Sequence, residues 1–218
     1  MTTFVLVHGA YQGGWIWKLV RERLEADGHR VYAPSLDGCG ERTHSLRRGI
    51  TTETHGAEIA ALLEMEDLTD IVMVATSSGG MVVAAAAERA RSRISRLVFA
   101  DALALTDGEK IRDIITQPAS IETDLAVGRS TEDAARVLFK DLEPDLRQWA
   151  VDRLTLHPRA VYYETVKLPT FWSQTWEAMV IYCTEAANPG KPHQARTAKL
   201  LGASWQEIET GHYPMLST

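Results

Sequence analysis

Cysteine is nearly absent: Cys39 and Cys183 are the only two in 218 residues. They lie far apart, without the short spacings of a metal knuckle, which argues against a disulfide framework and against a zinc module. No apolar run comes near the roughly 20 residues that a membrane-crossing helix needs. Lysine and arginine form no cluster, and a formal charge of −6 leaves no electrostatic footprint for nucleic acid or an anionic membrane surface. Internal repeats and low-complexity tracts are missing as well. The first strand-like run, Phe4 to Val7, begins almost at once, without the charged lead and apolar stretch of a secretory signal, so a cytoplasmic, reducing home is expected. What is present is ordinary globular material, 45% hydrophobic and 24% charged. It is long enough for one domain that buries roughly 70% of its unfolded surface.

Apolar strand-like runs alternate with helix-period segments through the first hundred or so residues, the pattern of a parallel sheet wrapped by helices. A first helix is read from Ile16, Leu19, Val20 and Leu24, with Gly28 at its C-terminal end. Arg30 to Ala33 reads as a strand closed by Pro34, and a second helix follows from the i, i+4, i+7, i+8 spacing of His55, Ile59, Leu62 and Leu63. The alternation stops between 102 and 176. That segment reads as several helices without strands, with Ser130 and Asp133 as an N-terminal cap, Pro144 at a first helical turn and His157-Pro158 as an ending. It divides the sheet-forming core into 1–101 and 177–218. Lying between the two parts of the core, it is expected to be a helical lid at the carboxyl ends of the strands, and the alternative is a space-filling subdomain. Its aromatic residues, Trp149, Tyr162, Tyr163, Phe171, Trp172 and Trp176, would suit an apolar substrate pocket. Sheet pattern resumes at Met179 to Cys183 and again at Ala203 to Ile208.

One junction carries chemistry. The apolar run Ile71-Val72-Met73-Val74-Ala75 breaks at Thr76-Ser77-Ser78-Gly79-Gly80 into an alanine-rich helical segment. A serine on such a strand–turn–helix elbow stands clear of both elements, and the helix N-terminus behind it favours a developing negative charge. The steric rule of the elbow is small residues two before and two after the serine, and Ala75 and Gly79 meet it. Ser77 is therefore the candidate nucleophile. A serine hydroxyl needs a base, and the base needs a third group to set its tautomer.

Of the seven histidines, His212 follows the last strand with Gly211 before it, at the sheet edge where the elbow also lies. It is the candidate base. His29 enters a strand from the opposite edge, while His55 and His193 sit in helical stretches and read as structural or solvated. After the first strand comes His8-Gly9-Ala10-Tyr11, where Gly9 lets the backbone turn tightly. The N–H groups of Ala10 and Ser78 are then the candidate oxyanion hole. For the acid two positions stand open. Asp101 ends the strand after the elbow helix, and Glu185 follows the strand that ends at Cys183.

Taken together, Val5-Leu6-Val7-His8-Gly9-Ala10, the elbow and Gly211-His212 resemble the α/β-hydrolase superfamily in their nucleophile-before-histidine order. Gly13-Gly14-Trp15 narrows the likeness to small esterases related to plant methylesterases and hydroxynitrile lyases, and Gly38 with Gly40-Glu41-Arg42-Thr43-His44 is similar to bacterial members of that group. The resemblance implies a mainly parallel sheet flanked by helices with a helical lid insertion. It also implies a cofactor-independent, metal-free Ser77–His212–Asp101 hydrolase acting on a small ester, apolar or aromatic. The family commonly places its acid after the strand matching Met179 to Cys183, yet that turn, Thr184-Glu185-Ala186-Ala187-Asn188, has no aspartate. Some members take the acid from the position of Asp101. A lyase or a non-catalytic receptor on the same fold is the alternative, although Tyr213 stands where the hydroxynitrile lyases carry a lysine. The six residues after His212 are fewer than the resemblance implies, so a short member or a truncated sequence is expected. A nucleotide-dependent oxidoreductase is the more distant rival, resting on Gly9 to Gly14, Asp37 and the spacing of Tyr163 and Lys167; its glycines lack the G-x-G core.

Overall fold

The fold is taken from a computed structural model, which describes residues 1–117 and 119–217. The chain begins with β1 (Thr3–Val7), α1 (Lys18–Ala26), β2 (Arg30–Tyr32), α2 (Thr52–Met65), β3 (Ile71–Ser77), α3 (Gly79–Arg89) and β4 (Ile94–Ala102). The intervening segment holds β5 (Ile121–Glu122), β6 (Ala126–Gly128), α4 (Thr131–Val137), α5 (Pro144–Val151), β7 (His157–Pro158) and α6 (Arg159–Tyr163). It is followed by β8 (Glu177–Cys183), α7 (Lys191–Leu201), β9 (Ser204–Ile208) and α8 (Pro214–Ser217).

Six strands form one sheet in the order β2-β1-β3-β4-β8-β9, every neighbouring pair parallel. Parallel strands covered by helices on both faces read as continuous apolar runs. Accordingly Val5 and Val7 in β1, Ile71, Met73 and Ala75 in β3, and Leu97 and Phe99 in β4 are fully buried. From β1 the chain builds outward to β2, then returns to place β3 on the other side of β1. That reversal is the switch point where an open α/β sheet leaves a crevice at the carboxyl ends of its strands, and there the loop after β1 meets the elbow after β3. The alanines of α3 make the close fit possible, since Ala84, Ala86 and Ala87 are all fully buried.

Two expectations change. The stripe expected on the first helix reaches the core only in part: Ile16 is fully buried and Val20 packs half-buried against the core, but no residue of α1 itself is buried and Leu19 is 43% exposed. The glycine-rich entry winds first into a 3₁₀ turn, Gly14–Trp17, so Ile16 lies in that tighter turn rather than in the α-helix, and Trp17 is buried beside it. The segment between β4 and β8 is not all helical either. β5, β6 and β7 form a small antiparallel sheet in which Val127 pairs with His157. His157-Pro158, expected to end a helix, is instead one of these strands. Strands of two or three residues are too short to show alternation, and β7 meets its partner β6 across about thirty positions. The segment has no core of its own: Val127, Ala134, Phe139 and Phe171 belong to the same continuous cluster as the sheet.

Candidate active site

Ser77 ends β3 with φ +52°, in the left-handed region that non-glycine residues rarely enter. Such a backbone costs on the order of 1–3 kcal/mol and persists only where its surroundings enforce it. Here they do. The Leu103 N–H donates to the Ser77 carbonyl at 2.8 Å, and α3 starts two residues later. The loop after β1 presses on the same residue, since a Cβ added at Gly9 would lie 2.4 Å from the Ser77 Cβ. Ala10 and Ser78 therefore flank the serine from two different loops, and all three line one cavity. Thr76 and Ala75, the two residues before the serine, are both fully buried. Neither is among the cavity-lining residues.

His212 lies between β9 and α8 and lines the cavity with Ser77. Its Nδ1 is 2.5 Å from Asp101 Oδ2, and the Asp101 side chain is wholly buried. An ionised carboxylate only accepts, so Nδ1 carries the proton there and Nε2 is left as the acceptor. Asp101 also has left-handed backbone, φ +47°. Its Oδ1 accepts from Gln194 Nε2 at 2.6 Å and from the Cys183 N–H at 3.3 Å. Glu185 lies on the turn after β8 and lines the cavity, but its recorded link to the histidine loop is through the backbone: its N–H donates to the Thr210 carbonyl at 3.1 Å. Of the two candidate acids, Asp101 is the one whose carboxylate meets His212.

The other histidines are tied into the scaffold. His8 is fully buried, with Nδ1 2.7 Å from the Gly9 carbonyl and Nε2 accepting from the Leu36 N–H at 2.9 Å. Burial pushes its pKa down to about 4, so the ring is neutral and acts as a strut under the loop after β1. His55 reaches the Asp37 carbonyl at 2.9 Å, and His157 sits 3.4 Å from Cys39 Sγ; burial lowers the pKa of both. His193 Nε2 accepts from the Ala104 N–H at 3.1 Å. The Gly40 to His44 motif is structural too: it forms a 3₁₀ turn in which Arg42 pairs with Asp37 and Glu58. Among the described residues no group of three or more His, Cys, Asp or Glu side chains is placed to hold a metal.

The cavity is open to solvent. Leu103, Ile111, Ile115, Val137 and Leu138 give it an apolar wall, while Arg136, Lys140, Asp141 and Glu185 add charge. The aromatic lining differs from expectation. Of the six aromatics singled out between 102 and 176, Tyr162 alone lines the cavity, joined by Tyr11 and Tyr213. Phe171 packs against Trp172 and Trp176, Trp149 packs edge-on against Trp15, and Tyr163 donates to Glu122 at 2.7 Å. Tyr11 has φ +70°, and its hydroxyl is 2.5 Å from that of Tyr162. Its carbonyl accepts from the Thr155 N–H at 2.9 Å, so the loop after β1 is bonded to the inserted segment at two points. Tyr11, Gln194 and Asp141 all bear on the site without having been singled out. Tyr11 alone left a signal, as the residue after Ala10.

Similarity to known proteins agrees with this geometry. The profile described as "Alpha/beta hydrolase family" matches residues 4–218. A carbendazim hydrolyzing esterase of Nocardioides sp. is 37% identical over 115 residues, 53% of this chain and 48% of the relative. Methylesterase 3 of Arabidopsis thaliana is 32% identical over 143 residues, 65% of this chain and 52% of the relative. The chain thus spans about half the length of these sequence relatives. Among solved structures, an extracellular α/β-hydrolase from a Paenibacillus species superposes with a TM-score of 0.87 at 23% identity, covering 100% of this chain and 94% of that one. A polyneuridine aldehyde esterase mutant superposes with a TM-score of 0.82 at 22% identity, covering 100% and 94%. On the family match and on the six-stranded parallel sheet with a serine elbow at its switch point, this chain belongs to the α/β-hydrolase family.

Proposed function

We propose that the chain is a serine hydrolase that cleaves a small carboxylic ester through an acyl-enzyme. The observation that carries this reading is a serine held in left-handed backbone at a strand–helix elbow, in one cavity with a histidine whose Nδ1 is bonded to a buried aspartate. In this mechanism His212 Nε2 takes the Ser77 proton as Oγ attacks the ester carbonyl, and Asp101 holds the ring in the competent tautomer and stabilises its charged form. The N–H groups of Ala10 and Ser78 receive the oxyanion. Such donors are typically worth about 10²–10³ in turnover each. His212 then returns the proton to the departing alcohol, and water repeats the sequence to free the acid.

The apolar wall supports an apolar or aromatic acyl group, with the 102–176 segment closing the site as a lid. Relatives named as a carbendazim hydrolyzing esterase and as methylesterases support ester chemistry. Two buried free cysteines suit a reducing, cytoplasmic compartment. Among the described residues no helix is long and apolar enough to cross a membrane.

Labelling with a fluorophosphonate followed by peptide mass spectrometry tests the assignment: the adduct is expected on Ser77 and abolished in Ser77→Ala. An adduct on Ser78, or none, refutes it. Turnover of a hydroxynitrile without turnover of any ester would replace the hydrolase reading with a lyase.

A further inference from the structure

The catalytic-histidine loop is held by a residue from outside the sheet. Asp141 lies in the turn between α4 and α5, some seventy residues before that loop, and lines the cavity with His212. Its Oδ2 accepts from the Gly211 N–H at 3.0 Å, and the Thr210 hydroxyl approaches the same oxygen at 3.5 Å. The contact is closer than one hydrogen bond. A Cβ added at Gly211 would lie 2.3 to 2.5 Å from all three atoms of the Asp141 carboxyl group. The carboxylate is thus laid against the bare Cα of the residue preceding the base, and only glycine leaves it that room.

We infer that Asp141 is a positioning residue for the hydrolysis proposed above, on which this inference rests: its carboxylate fixes the Gly211–His212 peptide so that the imidazole is aimed at Ser77. Asp101 holds the ring at Nδ1, and Asp141 holds the backbone that carries the ring. A bond at Nδ1 alone leaves the loop free to pivot about it, and the pivot runs through a glycine, the residue with the least restricted backbone. A displacement of about 1 Å at a reacting group costs roughly 10² in rate. Asp141 touches no reacting atom, so in this role its removal acts on kcat, whereas a substrate contact from the cavity wall would act on KM. Because it comes from the inserted segment, a competent base requires that segment to be seated.

Steady-state hydrolysis of p-nitrophenyl butyrate by full-length variants provides the test. For Asp141→Ala the expected result is a loss of about 10- to 100-fold in kcat with KM within twofold. For Asp141→Asn, whose amide oxygen still accepts from the Gly211 N–H, kcat should stay within about threefold. Gly211→Ala keeps Asp141 but forces the two apart, so it should reproduce the kcat loss, and in an Asp141→Ala background it should add less than threefold. An unchanged kcat in Asp141→Ala overturns the inference, and so does a change confined to KM, which marks a substrate contact. An Asn variant as impaired as the Ala variant also overturns it, because charge rather than the bond would then be at work. Should Asp141→Ala fail to fold, wild-type kcat in Gly211→Ala still refutes it. Wild-type protein that neither hydrolyses the ester nor labels at Ser77 would instead sink the hydrolase reading itself.

Discussion

Replacing Asp101 by asparagine changes two atoms' chemistry and leaves the shape alone. Asp101 Oδ1 accepts from Gln194 and the Cys183 N–H, and Oδ2 receives the His212 Nδ1 proton. Asparagine has one acceptor. If its oxygen keeps the two donors on the Oδ1 side, its NH₂ faces His212 Nδ1 and forces the proton to Nε2, where the ring can no longer take one from Ser77. A triad with this tautomer inverted loses about 10⁴ in kcat, equivalent to roughly 5.5 kcal/mol of barrier. The alternative flip satisfies His212 but turns the NH₂ towards two donors in a wholly buried site, where unmade hydrogen bonds cost on the order of 1–3 kcal/mol each. With both the Gln194 and Cys183 bonds lost, the first arrangement dominates. The expected result for p-nitrophenyl butyrate is a fall of 10³ to 10⁴ in kcat/KM for Asp101→Asn. Glu185→Gln, measured alongside, should remain within about threefold. Turnover within tenfold of wild type in Asp101→Asn, with intact circular dichroism, would refute the assignment of the acid. A large loss in Glu185→Gln would move that role to the turn after β8.

Gly9→Ala sets a Cβ 2.4 Å from the Ser77 Cβ and 3.0 Å from its Oγ; relieving that overlap shifts the nucleophile by about 1 Å, so kcat should fall roughly 10²-fold, and turnover within threefold would refute the close approach. Acid should weaken the fold through its buried histidines. His8, His55 and His157 are buried with pKa values below the ordinary 6.5, His8 at about 4, so the folded state binds fewer protons than the unfolded chain. Their contribution is therefore complete above pH 6.5 and is lost as pH falls towards 4, by about 3 kcal/mol for His8 alone. Urea midpoints at pH 7 and pH 5 check this, and equal midpoints would refute it.

What could be read from the sequence was whatever is local. The elbow lies within ten residues, so its strand, turn and helix were visible together, and the capping of α4 by Ser130 is found as expected, its Oγ accepting from the Asp133 N–H at 3.2 Å. His212 was legible by its place after the last strand. Choosing between Asp101 and Glu185 was not possible from the chain alone, because β4 and β8 are neighbours and both deliver a carboxylate to the same edge. The choice depends on backbone dihedrals and on Gln194, which reaches Asp101 across 93 positions. Asp141 was invisible for the same reason, meeting Gly211 across 70. The aromatics misled because size and apolarity state that a ring is buried, not which side of a helix it occupies. Trp172 and Trp176 are as aromatic as Tyr162, yet their indole N–H groups bond to the Leu105 and Phe171 carbonyls, away from the cavity.

The position of Asp101 separates two jobs that one turn would otherwise share. In the proposed mechanism nucleophile, one oxyanion donor and acid all come from the single unit β3–α3–β4, whose strands are hydrogen-bonded directly to each other. Only the histidine and one further amide must be brought to it. The turn after β8 is thereby released from proton transfer, and Glu185 to Pro189 are left lining the cavity. On that reading the side chains of that turn can change to suit a new substrate while Asp101 keeps the role of acid.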